Sequence, residues 1–598
     1  MNKTTASTKC ECRDYDFVVV GGGMAGVCAA IAAARHGCRT ALIQDRPVLG
    51  GNASSEIRMH ISGADYLRNA GARRETGILE EVRLENLFRN PQRSPAMWDL
   101  LLHEWTSREP LLSLFLNSVA LAPLMRDPAH IQAIRVRQLA SEREWMLQAP
   151  LFADCSGDGQ IGAQAGAEFR MGREAAAEFN ETLAESAADH YILGSSLMFM
   201  ARDMGRPMPF VKPDWAPAFP SDAALQHRDH RRYQYGYWWI EWGGHLDTIH
   251  DNDRIRDELL KIALGVWDHI KNHGDHGAQN WALEWMGMLP GKRESRRFVG
   301  DYILRQSDLE GGRIFDDEVA YGGWPIDTHP IEGFNSPEHP CRQIQVPLYS
   351  IPLRALFSRN IANLFFAGRN ISASHIAFAS TRVMATCALM GQAVGTAAAI
   401  CRAKKIVPRQ AAQSAIGLIQ QRLLADDCFL LGKKNADADD LACKAMVSAG
   451  SFKPGCGPEK VIDGVARPSL DDEHCWESAP LTESEAWLAL TWPQPVTIRK
   501  LQLTFDSELE KRLIFSQDDS IYTDPLTLNA MPGRLAKHFE LQTCTASGWE
   551  PVRVVADNRQ RVRRELFDPP LVTAAIRLRC KATCGYPAAR LFEIRAYA

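Results

Sequence analysis

The chain has 598 residues, 45% apolar and 23% charged, with a net charge of −4. That length exceeds what one hydrophobic core sustains and implies three or four domains. The near balance of acid and base argues against a nucleic-acid-binding surface, which needs clustered, unbalanced cations. Even the basic stretch Arg293-Glu294-Ser295-Arg296-Arg297 carries an acid within it. The opening residues, MNKTTASTKCECRDYD, hold no apolar run of the kind a secretory signal needs. The expectation is therefore a cytoplasmic chain whose fifteen cysteines are reduced. Cys10 with Cys12, and Cys580 with Cys584, lack a second pair or nearby histidines, so no metal is expected.

Phe17-Val18-Val19-Val20 is a β-branched run suited to a buried parallel strand. Gly21, Gly23 and Gly26 follow with the spacing G-x-G-x-x-G, and the Ala-rich stretch Val27 to His36 reads as a helix capped by Gly37. A second strand, Thr40 to Ile43, then leads into Gln44, Asp45 and Arg46. In this order the glycines permit a tight turn and a close backbone approach, and Met24 and Ala25 open a helix whose free N–H groups suit a pyrophosphate. A dinucleotide site is the reading. The usual acidic ribose partner is replaced by Gln44, with Asp45 beside it as the alternative.

Further along, the loop Pro47 to Asn52 contains Gly50 and Gly51 and suits a ribityl chain. Leu114 to Leu121, which includes Val119, and Ile131 to Leu147 read as strands. Leu151 to Asp154 then returns to a turn at Ser156, Gly157 and Asp158. Val383 to Ile400 is long enough to span a membrane, but its Ala, Gly, Gln392 and threonines favour a buried core helix and no membrane contact. Asn363 to Phe366 is another apolar strand, ending at Gly368, Arg369 and Asn370 and followed by a helix expected from Thr381 to Ala403. There is no second G-x-G-x-x-G within a strand–helix frame and no C-x4-C after Gly51, which argues against an NAD(P)H domain and a disulfide reductase.

The blocks GGNASSEIRMHISGA (Gly50 to Ala64) and AGRNISASHIAFASTRVMATCALMGQAVGTAAA (Ala367 to Ala399) resemble bacterial FAD-dependent oxidoreductases of the glutathione-reductase-like superfamily. The likeness covers about residues 15–430. It implies FAD as cofactor, with the distant strand–turn–helix folding back beside the first nucleotide-binding unit. Gly368, Arg369, Asn370, Gly391 and Gln392 would then lie close to the flavin, with Asn52, Ser55 and Arg58 of the first block as further candidate contacts.

Residues 205–345 change character, with clusters such as Tyr235 to Trp242 and Tyr321 to His329. An aromatic segment between two flavin-binding parts resembles a substrate-covering domain, and aromatic faces beside polar groups suit a sugar ring. Oxidising an alcohol carbon needs a base on its hydroxyl, and histidine titrates in the right range. His375 is the first candidate, His60 the second (or a covalent flavin attachment), and His329 the third. Arg58, Arg296, Arg369 and Arg382 could anchor flavin or an anionic substrate, with surface ion pairs as the plain alternative.

After Cys428 the acidic stretch Asn435 to Asp440 reads as a linker, and short alternating strands follow. Val461 to Gly464, Trp476 to Ser478 and Glu593 to Tyr597 resemble a discoidin-type, galactose-binding-like jelly roll, a fold that binds glycans or serves packing and oligomer contacts. The expected architecture is α/β: a Rossmann-like FAD-binding domain at 1–204 and 346–432, an inserted α+β cap at 205–345, and an all-β sandwich at 441–598. The expected activity is oxidation of a CH–OH group on a sugar, glycoside or polyol, with an unknown electron acceptor and a homo-oligomer left open. The alternatives are C–C desaturation or enoate reduction, as in fumarate-reductase-like proteins, and a glycan-binding protein on a vestigial flavin scaffold.

Overall fold

A computed structural model describes residues 10–66, 71–482 and 485–598. The chain divides into two compact units: Met1–Gly63 with Arg93–Ile419 and Ser516–Asp519, and Ala64–Gln92 with Gln420–Phe515 and Ser520–Ala598.

The first unit is built on a five-stranded parallel sheet in the order Leu364–Phe366, Leu151–Asp154, Phe17–Val20, Thr40–Ile43 and Leu112–Phe115. Four of its strands are buried throughout, as uninterrupted apolar runs covered on both faces should be, and the edge strand Leu112–Phe115 is half-buried except at Phe115. Register decides what this sheet can present. Val20 pairs with Asp154, and Asp154 with Phe366. Three carboxyl ends from remote parts of the sequence therefore stand side by side, and the turns that follow them share one edge, where open α/β sheets place ligands.

Helix Met24–Arg35 follows the central strand, and helix Met384–Lys404 packs across it. Small residues make this crossing close: a Cβ on Gly391 would stand 2.0 Å from the Ala25 carbonyl oxygen. Among the described residues Met384–Lys404 is the one helix long and apolar enough to cross a membrane, and 94% of its apolar window is buried inside the fold. That burial accounts for its apolar run as core. The helix expected from Thr381 to Ala403 runs from Met384 to Lys404, and a separate short helix, His375–Thr381, comes first. The Ser374 hydroxyl caps the first by accepting from the Ala377 N–H at 3.1 Å, and Val383 is extended.

The strand expected over Leu114 to Leu121 is likewise split into Leu112–Phe115 and Ser118–Asp127, because Asn117 turns the chain in a left-handed conformation. Ser118–Asp127 joins the hairpin His130–Gln138 and Glu144–Gln148 in a separate four-stranded sheet with Glu11–Asp14. Within residues 205–345, helix Asn252–Asn272 buries Val266 and Trp267 against Phe199, Tyr237 and Trp239.

The second unit is built on an antiparallel sheet of seven strands. Two of them, Ala486–Phe505 and Val562–Thr583, are long and enclose a core containing Trp476, Leu488, Leu503 and Leu591. The segments expected as separate strands at 486–492 and 498–505 run together through a register shift between Thr491 and Val496. Pro493 and Pro495, which cannot donate to a ladder, fall in that shift. Helix Ile78–Arg89 also belongs to this unit, with Leu84 packed on Leu513 and Leu528.

Candidate functional site

The turn after Phe17–Val20 is fixed from several sides. A Cβ on Gly26 would lie 1.8 Å from the Gly21 carbonyl oxygen, so the helix sits directly on the turn. Gln44 accepts from the Gly22 N–H at 2.7 Å and is buried. Its carbonyl oxygen is thus engaged in shaping the glycine turn, while the neighbouring Asp45 carboxylate stays exposed beside Arg46. Gly23 differs from its neighbours: a Cβ there would meet only the Gly51 Cα, 4.0 Å away. The N–H groups of Met24, Ala25 and Gly26, in the first turn of the helix, have no partners within it. The result is an open backbone cradle at a helix N-terminus.

The second and third turns close around this cradle. Asn370 donates through Nδ2 to the Asp154 carbonyl at 3.1 Å, while its fully buried Oδ1 has no partner among the described residues. Gly368 approaches the Ala25 side chain. Asp158 accepts from Lys292 at 2.7 Å, from Ser295 at 2.9 Å and from Arg369. Burial would raise the Asp158 pKa, and the Arg369 and Lys292 charges reverse this, holding it well below the ordinary carboxylate range. Gly391, expected near the flavin, gives its missing side chain to helix packing, and Gln392 is buried beside it. Val119 is half-buried, one residue beyond the Ser118 N–H that bonds the Gln44 carbonyl at 2.9 Å. These features fit FAD: an open helix N-terminus for its pyrophosphate, an orphaned buried acceptor, and cations on the adjoining turn.

The first block is held by its own contacts. The Ser55 N–H donates to Asp99 at 3.0 Å, and Asn52 reaches the Lys292 carbonyl at 3.0 Å. Arg58 adopts a left-handed backbone and lays its guanidinium over Trp285 at 4.1 Å. Its carbonyl accepts from the Tyr235 hydroxyl, and His60 stacks on the Tyr235 ring at 4.4 Å.

Segment Gly291–Arg297 divides its side chains between the Asp158 turn and two further groups. Lys292 and Ser295 reach Asp158; Arg293 and Glu294 reach elsewhere. Glu294, fully buried, lies 3.0–3.1 Å from His375 Nδ1 and also pairs with Arg297. Burial opposes the Glu294 charge, but His375 and Arg297 prevail and lower its pKa. The His375 N–H of the main chain donates to Glu174 at 2.8 Å, so ring and backbone are both tethered. An Nδ1–H donated to Glu294 leaves the lone pair of His375 at Nε2, which makes no hydrogen bond among the described residues.

His329 is placed differently. Its Nδ1 meets Glu241 at 2.7 Å and its Nε2 meets Asp327 at 3.1 Å. Both nitrogens face carboxylates, and Arg382 Nη2 also lies 3.2 Å from Nε2; burial opposes the charged ring, and the Glu241 and Asp327 charges outweigh it and raise its pKa. Arg382 joins Asp327 at 2.9 Å and Arg293 joins Glu241 at 3.3 Å. Three cations thus surround two carboxylates. Arg382 Nε and Glu241 Oε1 are buried with no partner among the described residues. Arg296 instead turns to the Asp158 carbonyl at 3.0 Å.

Glu294, Glu241, Asp327 and Lys292 were not singled out in the sequence. The one signal was the density of charge in Gly291–Arg297, whose partners lie too far away in sequence to be paired by inspection. Of the aromatic run, Tyr237 and Trp239 are core, whereas Trp238 is 39% exposed and edge-on to His329 at 5.8 Å.

A family model described as "FAD dependent oxidoreductase" matches residues 16–423. Solved structures with partial likeness include three carbohydrate-binding modules. A chitosan-binding module of a chitosanase/glucanase from Paenibacillus sp. IK-5 is 16% identical and covers 27% of this chain and 98% of its own, with TM-score 0.20. A family 32 module of NanJ from C. perfringens, solved with galactose, is 12% identical over the same shares, with TM-score 0.20. A family 32 module of EndoD from Streptococcus pneumoniae is 20% identical over 26% of this chain and 98% of its own, with TM-score 0.20.

Proposed function

The chain belongs to the FAD-dependent oxidoreductase family, and on that premise we propose that it oxidises a CH–OH group of a carbohydrate-like substrate. The observation that carries this reading is the buried Glu294–His375 pair, which leaves His375 Nε2 as a proton acceptor, five residues after the Asn370 that bonds the Asp154 turn. FAD, when bound, supplies the acceptor for the hydride that leaves carbon. His375 Nε2 takes the hydroxyl proton, and the Glu294 carboxylate stabilises the imidazolium so formed, as an orienting acid does for a catalytic histidine. His329 does not share this role, because both its nitrogens are occupied. With Arg382 it forms a buried polar wall whose unpaired Arg382 Nε and Glu241 Oε1 are free to hold hydroxyls. The exposed Trp238 ring offers a face for the C–H side of a sugar.

A second reading has a specific observation behind it. Arg293, Arg382 and His329 outnumber Glu241 and Asp327, and the surplus positive charge favours a carboxylate-bearing substrate, as desaturation or enoate reduction would use. The test is anaerobic mixing of the yellow protein with sugars, glycosides and simple unsaturated or saturated acids. Loss of the flavin's visible absorbance with sugars supports the first reading. Loss only with acids overturns it in favour of the second.

A further inference from the structure

Away from the flavin cradle, residues 222–276 bring three histidines and one aspartate to a point. Asp222 Oδ1 lies 3.0 Å from His269 Nε2, 3.6 Å from His230 Nε2 and 3.7 Å from His276 Nε2. His269 Nε2 and His276 Nε2 are 3.1 Å apart, and all four ligand atoms fall within 4.8 Å of one another. A tetrahedral Zn2+ with bonds of about 2.0–2.1 Å requires ligand–ligand edges of about 3.3 Å. The rings are splayed as separate ligands would be, with centroids 4.8–5.0 Å apart at 62–81°.

The far side of two rings settles which nitrogen faces the centre. His230 Nδ1 lies 2.7 Å from the Arg228 carbonyl, and His269 Nδ1 lies 2.7 Å from the Phe219 carbonyl. A carbonyl only accepts, so each Nδ1 carries its hydrogen. In the neutral rings both Nε2 atoms then present lone pairs to a carboxylate oxygen, an arrangement of acceptors that one shared cation would hold together. Backbone carbonyls on the outer nitrogen are also what orients metal-bound histidines.

We propose that Asp222, His230, His269 and His276 form a four-coordinate metal site of the Zn2+ class. Imidazole with one carboxylate suits Zn2+, whereas Ca2+ and Mg2+ take oxygen ligands. Four protein ligands leave no open position, so the role is structural. The metal ties the end of helix Asn252–Asn272, through His269, to His276 beyond it, to Asp222 at the start of the short 3-10 helix Asp222–Leu225, and to His230 after it. Tyr233 supports the same clamp, its hydroxyl donating to the His276 carbonyl at 3.0 Å. No regular spacing links the four residues, which hides the site from a sequence reading.

The test uses the full chain, stripped with a chelator and titrated with Zn2+ alone, with bound metal counted by mass spectrometry. Wild type should take up about one Zn2+ per chain, and Asp222→Ala with His276→Ala should bind at least about tenfold more weakly. Should that double variant lose its fold, Asp222→Asn decides, because the Asp222 side chain is 75% exposed and its loss disturbs no core. Weakened Zn2+ binding in the folded Asp222→Asn chain supports the site. A wild-type chain that binds no Zn2+, or folded variants that bind it as tightly as wild type, overturns it.

Discussion

His375 and His329 are both buried histidines with carboxylate partners, yet their surroundings give them opposite chemistry. One buried carboxylate on Nδ1 leaves His375 Nε2 without a hydrogen bond among the described residues, whereas carboxylates on both nitrogens of His329 raise its pKa. Replacing His375 with Ala should slow reduction by a substrate roughly 10²–10⁴-fold while FAD content stays at the wild-type level. Stopped-flow absorbance checks this, and a variant reduced as fast as wild type removes the base assignment. Replacing Glu294 with Gln should slow the same step through loss of the oriented ring. His329 makes a prediction of a different kind. Its pKa is raised on folding, so the stability it contributes is fully present below about pH 6.5 and is lost as pH climbs through the raised value. Thermal unfolding followed against pH should show that alkaline decline in wild type and a flatter profile in His329→Gln. At this scale the sequence was informative about residue types and not about partners. His375 was placed by its position after the last flavin-domain strand, but Glu294 and Glu241 became meaningful only once chain segments 80 or more residues away were packed against them.

At the level of elements, the first strand–turn–helix was readable because every local feature agreed: a β-branched strand, fixed glycine spacing, an Ala-rich helix and a glycine stop. The distant strand Leu364–Phe366 was readable as a strand from its apolar run. That it pairs with Leu151–Asp154 is a non-local fact, seen only in the fold; the family likeness implied no more than that this segment returns beside the first nucleotide-binding unit. Helix Met384–Lys404 shows why Ala and Gly replace larger residues: its glycines meet the backbone of Met24–Arg35. Gly391→Leu should force the two helices apart and destabilise the fold by about 1–3 kcal/mol, read as a lower unfolding midpoint in denaturant. An unchanged midpoint would show that the helices do not cross at that residue. Breaks such as Arg382–Val383 and Asn117 eluded the sequence because a single residue's backbone conformation ends an element without altering its apolar pattern.

At the scale of the whole molecule, the C-terminal β unit is not a simple appendage in sequence, because residues 64–92 belong to it. Arg74 is fully buried there, paired with Glu80 at 2.7 Å and donating to the Ser507 and Glu508 carbonyls at 2.7 and 2.8 Å. Arg74→Ala strands a buried carboxylate and should cost about 3–5 kcal/mol of that unit's stability, measured by thermal unfolding. A chain cut near residue 432 would also leave Leu84 without Leu513 and Leu528.

The account rests on a flavin lying against the turn at Gly23, where the protein itself leaves room for a side chain. The direct measurement is FAD bound per purified chain in wild type and in Gly23→Val. Wild type should carry about one FAD, and the variant less than about a tenth of that with an unaltered circular dichroism spectrum, since the new side chain fills space reserved for the pyrophosphate. A colourless wild-type protein that takes up no FAD, or a Gly23→Val chain with its full complement, would contradict it.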